Sequence, residues 1–221
     1  MKLAVIQFPG SNCNRDMLNA GLKVGIDAQF VDYRETSLDA YDGVLIPGGF
    51  SFGDYLRTGA MASVTPITPA IAKAAKDLKP VLGVCNGFQI LTELKLLPGA
   101  LIHNNNHTFI SRNESIRVKN NTTGFTKGYD ENQDVIFPIA HGEGQYFATP
   151  ETLEELEKNN QIVFTYNNNP NGSARDIAGI INKEGNVLGL MPHPERAMEK
   201  LLGSEDGLQL FKNLAKWGRQ K

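Results

Sequence analysis

The sequence predicts an α/β fold, a layered sheet of mostly parallel strands with helices on both faces and a small antiparallel addition in the middle of the chain. Three observations lead there. Short apolar runs alternate with helical patterns from residue 3 to residue 94, the rhythm of βαβ units. Runs such as Val81-Leu82-Gly83-Val84 are apolar throughout, as strands buried on both faces are. Several runs end in glycine- or proline-rich turns, at the strand C-termini where parallel sheets keep their sites.

In chain order, residues 3–8 read as a first buried strand, closed by Pro9-Gly10. The apolar start resembles a signal peptide only briefly, because it stops at Gln7. A helix is expected over 15–24, with Gly25 as its stop. Residues 29–31 and 43–46 read as the next strands, the latter running into Pro47-Gly48-Gly49. A helix over 67–78 is opened by Thr65-Pro66 and ended by Lys79-Pro80. The strand over 81–84 is followed by a helix over 87–94. The pattern then changes to short strands over 109–112, 115–118 and 135–140, separated by loops. A helix over 152–158, strands over 162–166, 177–181 and 187–191, and a helix over 205–217 complete the chain. No linker interrupts this order, so we expect one domain over 1–221 with a flavodoxin-like sheet, the middle segment adding antiparallel strands to it. Right-handed crossovers would align the strand C-termini along one edge.

Composition narrows the function. The chain has 221 residues, 41% hydrophobic, with a formal net charge of −2. That balance gives no electrostatic case for nucleic acid or a membrane surface, and no apolar run approaches the ~18 residues of a bilayer span. The two cysteines, Cys13 and Cys85, form no Cys-x-x-Cys pattern. A disulfide scaffold or cysteine zinc site is not expected, and a reducing cytoplasm is the default location. The Asn-rich stretches at 104–106, 120–121 and 167–169 read as polar loops.

Three loops carry residue types suited to chemistry. In Gly83-Val84-Cys85-Asn86-Gly87, a strand precedes the cysteine and a helix follows. This is the setting of a nucleophile elbow, where glycines permit a sharp turn and the helix N-terminus suits a negatively charged sulfur. A buried structural cysteine is the plain alternative, which the flanking glycines disfavour. In Met191-Pro192-His193-Pro194-Glu195, prolines stiffen the backbone on both sides of the histidine. In extended chain His193 and Glu195 would leave on one side, so the carboxylate could fix the imidazole tautomer. Alone this loop also reads as an exposed ion pair; with Cys85 it completes a nucleophile, base and orienter. The third loop, residues 47–54, carries paired glycines whose backbone N–H groups could stabilise an oxyanion. The expected donors are the N–H groups of Gly49 and Asn86.

Together, Gly-x-Cys-x-Gly, the upstream Pro-Gly-Gly and the late His-Pro-Glu resemble the class I (triad) glutamine amidotransferases over essentially the whole chain. Finer motifs, at residues 9–13, 48–54, 85–89 and 141–144, resemble the glutaminase subunits of phosphoribosylformylglycinamidine synthases; the Asn-Gly-Phe-Gln after Cys85 is the most characteristic. The resemblance implies a glutaminase in which Cys85 attacks the amide of L-glutamine and forms a thioester, His193 moves protons and Glu195 orients His193. It implies Gln89, and more weakly Phe52, as substrate-binding residues. No cofactor or metal is implied in this chain. Its ammonia would go to a partner synthetase subunit using ATP and Mg, making formylglycinamidine ribonucleotide from formylglycinamide ribonucleotide, with a small third subunit in the assembly.

The remaining candidates receive other readings. His141 is read as lining the site or as structural, and His103 and His107 as belonging to a solvated loop. Gln145 stands where many relatives carry Arg or Asn. Cys13 is read as structural, because no elbow glycines surround it. Two alternatives stay open on sequence alone: a glutaminase of another amidotransferase, and an intracellular cysteine peptidase of related fold. The peptidases usually carry histidine directly after the cysteine, where this chain has Asn86.

Overall fold

The computed structural model describes residues 1–217. Its main sheet has nine strands in the order β2-β1-β3-β4-β11-β10-β9-β6-β7. The parallel half comprises β1 (Lys2–Gln7), β2 (Asp27–Asp32), β3 (Gly43–Ile46), β4 (Val81–Val84) and β11 (Val187–Leu190). The antiparallel half comprises β6 (Ile110–Val118), β7 (Asp134–His141), β9 (Ile162–Tyr166) and β10 (Ile177–Ile181). The order of the parallel half is that of flavodoxin-like sheets. A separate two-stranded sheet pairs β5 (Ala100–Ile102) with β8 (Gln145–Phe147).

Five α-helices lie among the described residues: α1 (Asn14–Lys23), α2 (Thr68–Lys76), α3 (Asn86–Glu93), α4 (Pro150–Lys158) and α5 (Leu208–Ala215). The crossovers β1-α1-β2 and β3-α2-β4 run in opposite directions along the sheet, so right-handedness puts α1 and α2 on opposite faces. All four residues of β3, β4 and β11 are buried. Each large apolar side chain so removed from water is worth roughly 1.5–3 kcal/mol. That explains why these strands read as unbroken apolar runs.

Most expected elements form at or near their expected positions. The segments 109–112 and 115–118 prove to be one strand, β6, which pairs with both β7 and β9. Pairing with β7 runs through its polar middle, which looked like a break in the sequence, while β9 pairs only with Ile116 to Val118. The short strands β5 and β8 are absent from the sequence reading. They are three residues each and mostly not buried, so they carry no periodic signal. Helix α2 starts at Thr68, one residue after its expected start, with Pro69 in its first turn.

Strands β4 and β11 are neighbours, with Gly83 opposite Gly189 and Val84 opposite Leu190. Their shared C-terminal edge therefore delivers Cys85 and, three residues past β11, His193 to the same place.

Candidate active site

Cys85 caps α3 in a strained conformation, with φ 52° and ψ −108°. A non-glycine residue with positive φ needs surrounding structure to hold it. The Cys85 N–H donates to the Leu190 carbonyl at 2.8 Å, tying the elbow to β11. Gly87 lets α3 sit directly on β3: a Cβ there would lie 2.0 Å from the Ile46 carbonyl oxygen. The thiol faces the Ala140 carbonyl at 3.7 Å and is 6% exposed.

His193 is held by its own N–H, which donates to the Pro138 carbonyl at 2.8 Å. Its Nδ1 lies 2.7 Å from Glu195 Oε1, and both side chains are buried. The chain does not stay extended between them, as the sequence reading assumed. Residues Pro194–Arg196 form a 3-10 turn; the proline fixes its start, and the turn still brings carboxylate to ring. Burial alone would push the His193 ring down, but the Glu195 carboxylate, with contributions from Cys13 and Cys85, holds it well above its ordinary value. The structure thus joins Cys85, His193 and Glu195 at one sheet edge.

Cys13 lies at the same edge. It is the N-cap of α1 and is 3% exposed. Its sulfur, His193 and Glu195 offer donor atoms within 4.8 Å of one another, and the Arg196 guanidinium donates to the sulfur at 3.1 Å. This set contains metal-ligand chemistry, but the carboxylate is bound to the ring and a guanidinium already faces the sulfur. A cation there would meet Arg196 at close range.

The glycine loop closes the other side. Gly49 has φ 151°, and a Cβ on it would lie 2.6 Å from the Asn12 nitrogen and the Gly10 oxygen. It lines the cavity in front of Cys85. Asn86, the first residue of α3, accepts from the Ser51 N–H at 3.2 Å and donates to Gln89 Oε1 at 2.9 Å. Gln89 Nε2 donates to the Glu143 carbonyl at 2.7 Å. This chain of bonds ties the glycine loop, α3 and the loop after β7 together. Phe52, the weaker substrate-binding candidate, lies in the glycine loop as well. Its φ of 54° turns the ring toward Phe8 and Tyr33, at centroid distances of 6.4 and 5.4 Å. Phe50, not Phe52, lines the cavity.

The cavity holds about 230 Å³ and is lined by Cys85, Gln89, Gly49, Asp54, His141 and Glu143, among others. That is below the ~300–1,000 Å³ of sites for drug-sized ligands, and suits a molecule of amino-acid size. Burial, reinforced by the Glu143 carboxylate, raises Asp54 to about 6. His141 lines the cavity from β7, with Nδ1 3.1 Å from Asn104 Oδ1. Asn104 Nδ2 donates to two carbonyls, so its oxygen accepts and His141 carries its proton on Nδ1. Burial, with the charge of His193, lowers His141 to about 4. His103 and His107 stand exposed at the cavity mouth, where the solvated-loop reading put them. The Gln145 side chain donates to the Gly172 carbonyl and lies outside the cavity lining. The sequence reading passed over Asn104, Asp54 and Glu143. Only the Asn run at 104–106 hinted at the first, and it was read as a polar loop.

The fold and this sheet-edge site define a glutamine amidotransferase. The family model of a CobB/CobQ-like glutamine amidotransferase domain matches residues 1–218, and the chain belongs to that family. Within it, the chain is 63% identical to the phosphoribosylformylglycinamidine synthase subunit PurQ of Staphylococcus saprophyticus, over 100% of this chain and 99% of the relative. It matches a chain in the structure of PurLQS from Thermotoga maritima with a TM-score of 0.91 and 42% identity, covering 98% of each chain. A glutamine amidotransferase from Thermotoga maritima, 17% identical, matches with a TM-score of 0.65 over 100% of this chain and 99% of its own, a likeness of fold alone.

Proposed function

We propose that this chain hydrolyses L-glutamine to glutamate and ammonia. It passes the ammonia to a synthetase subunit that converts formylglycinamide ribonucleotide to formylglycinamidine ribonucleotide in purine synthesis. The observation that carries the chemistry is the buried His193–Glu195 pair, 2.7 Å apart, beside a thiol on a strained elbow. The 63% identity to a PurQ subunit carries the pathway and the partners, a synthetase and a small third subunit.

In this reading Cys85 Sγ attacks the side-chain amide carbon. The N–H groups of Gly49 and Asn86 receive the oxyanion, at a sheet edge where such donors stabilise charge that appears only in the transition state. His193, held protonated by Glu195, gives its proton to the departing ammonia and leaves a glutamyl thioester. The neutral ring then takes a proton from water, which attacks the thioester and frees Cys85. Gln89 contacts the substrate from α3. No step draws on a metal or cofactor bound by this chain; ATP and Mg belong to the synthetase. A site whose nucleophile is a free thiol favours the cytoplasm, where it stays reduced, and no helix among the described residues is long and apolar enough to cross a membrane.

The test is glutamate release from glutamine by the chain assembled with its synthetase. Cys85→Ala should abolish it, together with labelling by a glutamine-analogue electrophile. Full activity in Cys85→Ala would overturn the reading.

A further inference from the structure

The mechanism above leaves one buried nucleophile unused. Cys13 comes from a different loop than Cys85, yet the two thiols flank the same imidazole, and both contribute to its raised proton affinity. They also converge on Gly48. A Cβ on Gly48 would lie 3.2 Å from Cys13 Sγ, 3.3 Å from Cys85 Cβ and 2.8 Å from His193 Cε1. Gly48 has no left-handed φ, so its backbone alone does not require glycine; the crowding does. The space over its Cα is bounded by both cysteines and filled by no side chain of its own. Cys85 opens to solvent through the cavity, whereas Cys13 is not among the residues lining it.

We propose that Cys13 is a resolving thiol for Cys85, closing a Cys13–Cys85 disulfide over Gly48 when a peroxide oxidises Cys85. The sulfur of Cys85 attacks one peroxide oxygen, the O–O bond breaks, and hydroxide leaves with a proton from His193. Cys85 is then a sulfenic acid. Cys13 sulfur attacks the Cys85 sulfur, the S–O bond breaks, and the oxygen leaves as water with the thiol's proton relayed through His193. The peroxide is reduced by two electrons and the two thiols are oxidised by two. Arg196, donating to Cys13 Sγ at 3.1 Å, orients that sulfur and favours its negative charge during the attack. A redox-sensitive cysteine beside a resolving partner is spared irreversible over-oxidation. The inference rests on Cys85 being the site nucleophile, and it makes the glutaminase reversibly silent under peroxide stress.

These are the chain's two cysteines, so peptide mapping is unambiguous. Treat the full chain with hydrogen peroxide and analyse non-reduced peptides by mass spectrometry. The expected product is an intramolecular Cys13–Cys85 pair, and dithiothreitol should restore glutamine hydrolysis in the complex with the synthetase. Cys13→Ala should instead accumulate Cys85 sulfinic acid and recover about tenfold less activity; Cys13→Ser serves if the alanine variant does not fold. Sulfinic or sulfonic Cys85 beside reduced Cys13 in the unsubstituted chain would overturn the proposal, as would a disulfide between two chains. The mass readout is independent of turnover. A chain that forms the pair but never hydrolyses glutamine would refute the glutaminase reading and leave the redox one standing.

Discussion

His141 should make the protein acid-sensitive by an amount that its surroundings set. The ring is buried on β7, its Nδ1 proton is committed to Asn104, and its Nε2 has no hydrogen-bond partner among the described residues. Burial, with the His193 charge, lowers it from 6.5 to about 4 in the folded protein. In the unfolded chain it takes up a proton near its ordinary value. Between about pH 6.5 and 4 the unfolded state therefore binds more protons, and stability falls as pH falls. The stabilisation is fully present above 6.5 and lost progressively on acidification. The full difference corresponds to about 3 kcal/mol, of which about 2 kcal/mol is lost between pH 7 and pH 4.5. That is a large share of a typical stability of roughly 5–15 kcal/mol. His141→Gln keeps a side-chain N–H for Asn104 and cannot titrate. Urea unfolding of both proteins at pH 7 and pH 4.5 gives the double difference, in which other titrating groups largely cancel. His141→Gln should lose about 2 kcal/mol less than the unsubstituted protein over that interval. Equal losses would refute the argument and mean that the ring is already solvated, or charged, in the fold.

Other expectations follow from the same geometry. Asp54, raised to about 6 by burial and then by Glu143, binds more protons folded than unfolded between about pH 4 and 6. Its contribution to stability therefore falls as pH rises through that window. Asp54→Asn should raise stability above pH 6, by no more than about 1 kcal/mol because the group is only partly buried, as thermal unfolding at pH 5 and pH 7.5 would read. Glu195→Gln removes the carboxylate that holds His193 protonated; kcat for glutamine hydrolysis should drop about 10²–10⁴-fold with little change in melting temperature. The ring's proton affinity should fall at the same time, visible as a lower-pH histidine titration by NMR. Gly48→Ala places a methyl 2.8 Å from His193 Cε1 and 3.2 Å from Cys13 Sγ. Overpacking of this kind costs about 1–3 kcal/mol, and kcat should fall more than KM changes in steady-state assays.

Much of this was readable before the structure. The central parallel strands β3, β4 and β11 announced themselves because each is buried on both faces, which leaves no polar alternation to confuse them with helices. The order of Cys85, His193 and Glu195 was readable because the nucleophile needs glycines and the base needs a stiff approach, both of which are residue types in a row. What could not be read is where one loop comes to lie against another. Asn104 looked like part of a polar loop, yet it is fully buried and bonds His141 and Gly144 across long gaps in the chain. Phe52 entered through the family resemblance alone; its ring packs against Phe8 and Tyr33, contacts that no local residue pattern announces.

Cys13 shows the same limit most sharply. Its local sequence contains nothing that marks a reactive thiol, and the structural reading followed from that. Its position, however, is decided by partners from two distant segments, the glycine loop and the turn after β11. The Cys13 N–H donates to the Gly48 carbonyl at 3.0 Å, which pins the start of α1 against the glycine loop. Arg196 reaches it across 183 residues of chain, also bonding Asp16 in the first turn of α1. His193 is held from a third direction by Pro138 and Glu195. Chemistry at this site is thus a property of the sheet edge rather than of any one motif: the strand order brings β1, β3, β4 and β11 side by side, and the loops leaving them can meet only there.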